Sequence, residues 1–373
     1  LEYRNDNLLP STHNQDAQEL ADKVLAFVGN DSLLDFLDYD RNPPFDPTVR
    51  SRDGSFVPDV GGLAFGYGRS QSRWHAGVIG SVSPVLVGGG QFKYLADESR
   101  AANKPCTKAG IVHLNEPTRA SEDQARVGQQ ALEQDWGGNL GSGNTRLYAA
   151  NLADPEPAYR VLVDRMVADG MNCVFAYTDV QSSINLVSAM KNRGYWPPSA
   201  CTLNCFRVTW VPFTVYDARF IRDAGDAALN VSTFIPHVPL AETASEAMRV
   251  YLDALKAVAG ARPSTFSIFG FASGLMFVQG LQACPAAPTR DCLIKSVREM
   301  QDFTGGGLLG GTTPFRTTRA TFDPYGTYDW KWIFNRSILL RVLDRGGNRD
   351  FYRVRPETGF FEDTIKVARG SPA

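Results

Sequence analysis

Between residues 145 and 195 the hydrophobic pattern switches back and forth between two periods. The run TRLYAAN reads as a strand and leads into a loop at Asn151–Pro155. The next stretch, Glu156–Asp169, places Tyr159, Leu162, Val163, Met166 and Val167 on one face of a helix, and Gly170 ends it. The apolar run CVFAY at Cys173–Tyr177 reads as a buried strand closed by the polar pair Thr178-Asp179, and a second amphipathic helix follows. Strands alternating with helices of this length pair in parallel through right-handed crossovers. In such sheets ligands gather at the carboxyl ends of the strands, so the loops at Tyr177–Ser182 and Asn151–Pro155 come first as candidates.

The same patterns extend in both directions. Upstream, LEYR predicts a strand, DAQELADK at Asp16–Lys23 a helix with Ala17, Leu20 and Ala21 inward, and VLAFVG a buried strand. Residues 38–56 are Pro- and Arg-rich without a period and read as a surface insertion, followed by a strand at Phe56–Val60 that runs into Gly61-Gly62. Residues 67–90 are rich in Gly and Ser and predict no element. Helix FKYLADESRAAN, strand AGIVHL and a helix at Ser121–Gln134 with a capping-box-like start come next. Beyond the opening segment, strands are predicted at Cys201–Phe206 and Val231–Ile235 and helices at Ala244–Val258, Phe266–Gln282 and from Thr289 to Met300. Helix Phe266–Gln282 is apolar nearly all round and is expected to be buried. The aromatic-rich tail is poorly patterned.

At 373 residues the chain predicts two domains. The fold class expected is α/β, two doubly wound parallel-sheet lobes, with residues 1–90 plus 236–325 forming one and 91–235 plus 326–373 the other. A net charge of −2 leaves no electrostatic footprint for nucleic acid, and no apolar run is long enough to span a membrane. The chain opens directly in its first predicted strand with neither Met nor a signal segment, which reads as a processed or truncated product.

Recognisable catalytic chemistry is missing from the sequence. GGGLLGG at 305–311 and VGGGQFK at 87–93 lack the glycine spacing of a phosphate loop or dinucleotide fingerprint. His13, His75, His113 and His237 are scattered, and no G-x-S-x-G occurs. No enzyme, cofactor or metal is expected. The six cysteines carry more information. Cys201 and Cys205 are four apart, Cys284 and Cys292 bracket the turn PAAP, and Cys106 and Cys173 each precede an apolar strand. If those two strands are neighbours in one parallel sheet, their amino ends lie within bridging range. Three disulfides are thus expected over free thiols, and with them an oxidising, extracytoplasmic compartment.

The phrases LEYRND, LADKVLAFVG, TKAGIVHL, YRVLVDRMVADGMNCVFAYTD with SAMKNRGYWPP, FASGLMFVQGLQAC with TRDCLIKSVREMQDFTGGGLLG, and FYRVRPETGF resemble, in order and spacing, one family. It is that of the type I periplasmic solute-binding proteins of the branched-chain amino acid (Leu/Ile/Val-binding) group. The resemblance covers most of the chain apart from 38–56 and 67–90. It implies two α/β lobes joined by a three-stranded hinge that close over one small molecule and deliver it to the membrane permease of an ABC importer. It also implies a monomer in the periplasm or lipid-anchored at the outer face of the membrane. A ligand-sensing extracellular receptor domain on the same scaffold is the alternative. Family members carry another strand and helix before the segment that LEYRND resembles, so the first strand-helix unit of lobe I is expected to be missing here.

The resemblance also implies binding residues. From the first lobe it points to Asn30, Asp31 and Ser32, then to Gly61, Gly62 and Ala64; from the second to Asn115, Glu116, Tyr177, Thr178, Asp179 and Asn204. Ser32 reads equally as a helix N-cap and Asp179 as a turn residue, whereas Tyr177, which could be a core aromatic, is favoured for binding by its place at a strand's carboxyl end. Family amino-acid binders hold the ligand ammonium with a carboxylate near the position of Asn204. Its replacement here implies a larger, less zwitterionic ligand, such as an aromatic or alicyclic acid.

Overall fold

The computed structural model describes residues 10–29, 50–62, 74–78, 92, 95, 97–116, 119–135, 140–152, 154–201, 204–300, 303–309 and 338–354. Two compact units emerge, Leu1–Ser83 with Leu240–Phe334 and Pro84–Pro239 with Asn335–Ala373. Strand LEYR, most of the 38–56 insertion, and the residues Asn30, Asp31, Ser32 and Ala64 lie outside the described residues.

In the first unit, helix α1 (Pro10–Ala21) precedes three short parallel strands, β1 (Phe27–Val28), β2 (Asp59–Gly61) and β3 (His75–Gly77), in the order β1-β2-β3. Strand β3 falls in the Gly- and Ser-rich stretch for which no element was predicted. Helix α1 begins earlier than Asp16, and it buries Leu20 and Ala21 as its pattern requires.

The unit is completed by α6 (Glu246–Lys256), α7 (Thr265–Gln282) and α8 (Arg290–Glu299), whose caps Ser245, Ser264 and Thr289 each accept a backbone N–H of the first turn. Helix α7 is not buried all round. It buries Ile268, Phe269, Ala272, Ser273 and Met276, whereas Phe266 and Val278 stand exposed at 39% and 48%. Residues 50–56 fold back through a bridge between Arg50 and Phe56. Arg290 at the start of α8 ties them down, donating to Ser51 Oγ at 2.9 Å, Ser55 Oγ at 2.8 Å and the Val24 carbonyl at 2.7 Å.

The second unit is built on a seven-stranded sheet. Its strands are β4 (Ala109–Asn115), β5 (Thr145–Asn151), β6 (Cys173–Tyr177), β7 (Val208–Trp210), β8 (Ser232–Ile235), β9 (Ile338–Arg345) and β10 (Asn348–Arg353), in the order β10-β9-β8-β7-β6-β4-β5. Strands β4 to β8 run parallel, and β9 turns antiparallel against β8 and β10. Helices α2 (Ala120–Asp135), α3 (Glu156–Ala168), α4 (Val180–Asn192) and α5 (Ala218–Ala224) form the crossovers. Two corrections follow. Cys201–Phe206 is a disulfide-closed loop and the strand starts at Val208; the tail contains the β9–β10 hairpin, turned at Gly346-Gly347.

Alternation along the strands explains the layers. Ile111, Phe175, Tyr177 and Trp210 join Phe92, Leu95, Ala125 and Leu132 in one buried cluster on one face of the sheet. Phe92 makes edge contacts with Phe175 at 4.8 Å and Trp210 at 5.3 Å, a geometry that favours aromatic pairs. The opposite face carries Val174 and Ala176 and is covered by α3 and α4, from which Tyr159, Val163, Met166, Leu186, Val187 and Met190 are buried. Of the predicted stripe on α3, Leu162 and Val167 are only half-buried. All three expected disulfides are formed: Cys106–Cys173, Cys201–Cys205 and Cys284–Cys292. The first depends on β4 and β6 being parallel neighbours with Ala109 opposite Cys173, which they are.

Candidate functional site

Parallel strands present their carboxyl ends on one edge of a sheet, and in the second unit Asn115, Asn151, Tyr177, Trp210 and Ile235 terminate successive strands there. Polar side chains on this edge hold one another. Asn115 donates to Asn151 Oδ1 at 3.3 Å, and Asp154 Oδ2 accepts the Asn151 backbone N–H at 2.9 Å. Asn185 on α4 donates to the Asp154 carbonyl at 2.9 Å. Ser121, in the first turn of α2, accepts the Leu114 N–H at 2.8 Å and donates to the Tyr177 carbonyl, so one hydroxyl joins the ends of β4 and β6.

Two further carboxylates of this edge, Glu116 and Asp179, are committed to helix starts. Glu116 Oε1 accepts the Ser121 N–H at 2.7 Å, at the first turn of α2. Asp179 is the N-cap of α4 and accepts the N–H groups of Gln181 at 2.7 Å and Ser182 at 3.1 Å, besides the Ser182 hydroxyl at 2.6 Å. Both are stabilised by the positive end of a helix. Thr178 is buried and shares a hydrogen bond with Ser183 at 2.7 Å. Gln181 donates to Asn185 Oδ1 at 3.0 Å and accepts from Arg219 at the start of α5.

Tyr177 is a core aromatic. Its ring lies 5.2 Å from that of Trp210, and its hydroxyl reaches α2 at Gly128, where a Cβ would come within 2.0 Å of it. Burial pushes this hydroxyl's pKa up. Tyr159 on α3 is also buried, and burial raises its hydroxyl to about 12, opposed in part by a hydrogen bond with Ser182 and reinforced by the charges of Asp179 and Asp154.

Asn204 stands elsewhere. It adopts a left-handed φ of 55° inside the Cys201–Cys205 loop, which enters β7 at its amino end. Arg207 donates from this same stretch to the Asn172 carbonyl, just before β6. Asn204 therefore lies on the edge opposite to Tyr177 and Asp179, because a chain leaving a helix always enters the next parallel strand there. The loop at the carboxyl end of β7 is instead Val211, Pro212 and Phe213, which sequence reasoning missed once the strand was placed too early.

In the first unit the corresponding edge comprises Gly29 after β1, Gly61 at the end of β2 with Gly62 after it, and Val78 after β3. Gly61 has φ 83° and lies against α7, where Ser273 Oγ donates to its carbonyl at 2.7 Å. Gly62 is buried beside it. Among the described residues no group of three or more His, Cys, Asp and Glu could hold a metal ion, and no helix is long and apolar enough to cross a membrane.

A family model of periplasmic binding proteins matches residues 87–331, and the chain belongs to this family. Solved structures with the same fold include a fatty acid ABC transporter substrate-binding protein from Thermomonospora curvata (14% identity over 99% of this chain and 82% of that one, TM-score 0.67). An ABC transporter solute-binding protein from R. palustris in complex with 4-hydroxybenzoate is similar at 14% identity over 97% and 86%, with TM-score 0.67. A leucine-binding protein from Thermotoga maritima shares 13% identity over 92% and 83%, with TM-score 0.61. Comparison with curated proteins gives no match.

Proposed function

We propose that this protein is a non-enzymatic, extracytoplasmic solute-binding protein that captures a small molecule and delivers it, as a monomer, to the permease of an ABC importer. The family match over 87–331 carries the reading. The carboxyl edges of its parallel sheets support it, offering hydrogen-bonding groups and buried aromatics. The disulfides fit an oxidising compartment.

The ligand we propose is larger and less zwitterionic than leucine, an aromatic or alicyclic acid. Asn204, at the amino edge of its sheet, has no part in this choice. The loop beyond β7 carries Val211, Pro212 and Phe213 with no carboxylate, and Glu116 and Asp179 already accept helix N–H groups. Among the described residues the carboxylates of this edge, Asp154 included, already accept hydrogen bonds, so an ammonium buried there meets no uncommitted anion, which is costly. The R. palustris relative bound to 4-hydroxybenzoate fits this class. Isothermal titration tests it: binding of 4-hydroxybenzoate or a related ring acid is expected, and micromolar binding of leucine, isoleucine or valine overturns it. A thermal-shift screen of metabolites tests the wider reading, since a ligand of the folded state raises the midpoint by mass action.

A further inference from the structure

Between α3 and β5 of the second unit lies a small open cavity of about 210 Å3, whose lining includes Tyr148, Ala149, Asp154, Tyr159, Val161 and Arg165. It occupies the flank of the sheet, because β5 is the outermost strand among the described residues. Three features there point to a ligand. The first is charge. The neighbouring arginines are neutralised, Arg146 by Asp169 at 2.8 Å, Arg160 by Glu156 at 2.8 Å and Arg193 by Asp164 at 2.7 Å. Among the described residues Arg165 has no ion pair, and it lies 5.8 Å from the Tyr148 ring. The second is an apolar wall: Val161, 71% exposed, lines the cavity together with Leu162 and Ala158.

The third is the strand edge. Ala109 donates to the Asn144 carbonyl, and the alternation of a parallel ladder then turns the backbone of Ala149 and Asn151 away from β4. Asp154 already takes the Asn151 N–H. That leaves the Ala149 N–H facing outward.

We propose that this cavity is a second ligand site, for a small monocarboxylate with an apolar body. The carboxylate meets the Arg165 guanidinium, whose planar fork matches it with two parallel hydrogen bonds. The body lies between Tyr148 and Val161, with the Ala149 N–H as a further donor. Asp154 stands in the same lining, so a dicarboxylate meets like charge and is rejected. The proposal is independent of the ligand assigned to the carboxyl edges.

The test is a titration of the isotopically labelled full chain with sodium benzoate, followed residue by residue through backbone amide NMR shifts. Saturable shifts are expected at Ala149, Val161 and Arg165, with none saturating for succinate. R165Q should weaken this response by about tenfold or more, R165K by less, and R160Q not at all. The overturning results are no saturable shift at these amides, saturation that survives R165Q, or shifts confined to Asn115, Asp179 and their neighbours. If R165Q does not fold, an R165K titration indistinguishable from the native one overturns the proposal equally.

Discussion

Ser273 on α7 donates its hydroxyl to the carbonyl of Gly61 at 2.7 Å, and a Cβ built on Gly61 would stand 2.3 Å from the Cβ of Ser273. Strand β2 and helix α7 approach as closely as two backbones can with one small side chain between them. Gly61 also needs its φ of 83°, which a side chain disfavours. Gly61→Ala should therefore destabilise the first unit by about 2–4 kcal/mol through strain and overpacking together. Urea unfolding followed by circular dichroism measures this, and a loss below about 0.5 kcal/mol would mean the strand can shift freely.

Tyr177 gives a contrasting case. Tyr177→Ala should empty a core position beside Trp210 and cost about 3–5 kcal/mol, while the protein that remains folded keeps its ligand affinity. Melting curves and titration calorimetry on the same variant separate the two effects. A weakened affinity at unchanged melting temperature would assign the ring to the ligand instead.

Acid should destabilise the second unit in two steps. Burial of His237, partly opposed by its hydrogen bond with the Val238 carbonyl, lowers its pKa from 6.5 to about 4. Below pH 6.5 the unfolded chain gains a proton that the folded one refuses, so stability present above 6.5 is lost as pH falls toward 4. Glu122 follows: hydrogen bonding by Arg119, and then by Arg126, lowers it from 4.5 to about 2, so its contribution is lost between those values. Its side chain is 17% exposed, and solvent screening keeps that contribution at about 1 kcal/mol or less. Urea midpoints across pH 7 to 3 should fall in this order, and H237Q should remove the upper step.

Alkylation of the oxidised, denatured protein should modify no thiol, and alkylation after reduction should modify six, read by intact mass. The bridges should differ in weight. Cys106–Cys173 closes a sequence separation of 67 and is worth about 4 kcal/mol by loop entropy, against about 2 for the separations of 4 and 8. The C106S/C173S double variant should accordingly show the largest fall in unfolding free energy. Equal losses for all three pairs would contradict this ordering.

Asn204→Ala should leave ligand affinity unchanged, since its loop faces the amino edge of the sheet. It should lower stability by about 1 kcal/mol, because alanine adopts the left-handed φ of 55° less readily than asparagine. An affinity loss of tenfold would return Asn204 to the binding site.

Long, strongly periodic segments were the legible ones. Strands β4, β5, β6 and β8 and helices α2, α3, α4, α6 and α8 follow from runs such as AGIVHL and the stripe Tyr159, Val163, Met166. The cysteine pairs followed as well, because pairing in a parallel sheet constrains where bridges reach. Strand β3 escaped because three residues, His75–Gly77, are too few to show a period. Strand β7 was shifted because CTLNCF alternates as a strand does, while a short disulfide bends it into a loop. The β9–β10 hairpin left a signal, two Gly between apolar runs, that was passed over. At the candidate site the sequence showed that the loops after β4 and β6, with Asn115, Glu116 and Tyr177–Asp179, lie at the carboxyl edge, but it put Asn204 there in place of Val211–Phe213. It did not show that Glu116 and Asp179 spend their oxygens on helix starts, because hydrogen-bond partners depend on angles that residue order does not contain.

The Cys106–Cys173 bridge joins neighbouring strands, yet everything the chain lays down between them, β4, α2, β5 and α3, hangs from it as a single ring. A protease that cuts once between 107 and 172 opens that ring without releasing a piece. The nicked molecule stays one covalent piece until a reductant arrives, so the cut stays hidden on a non-reducing gel and shows only when the bridge is broken.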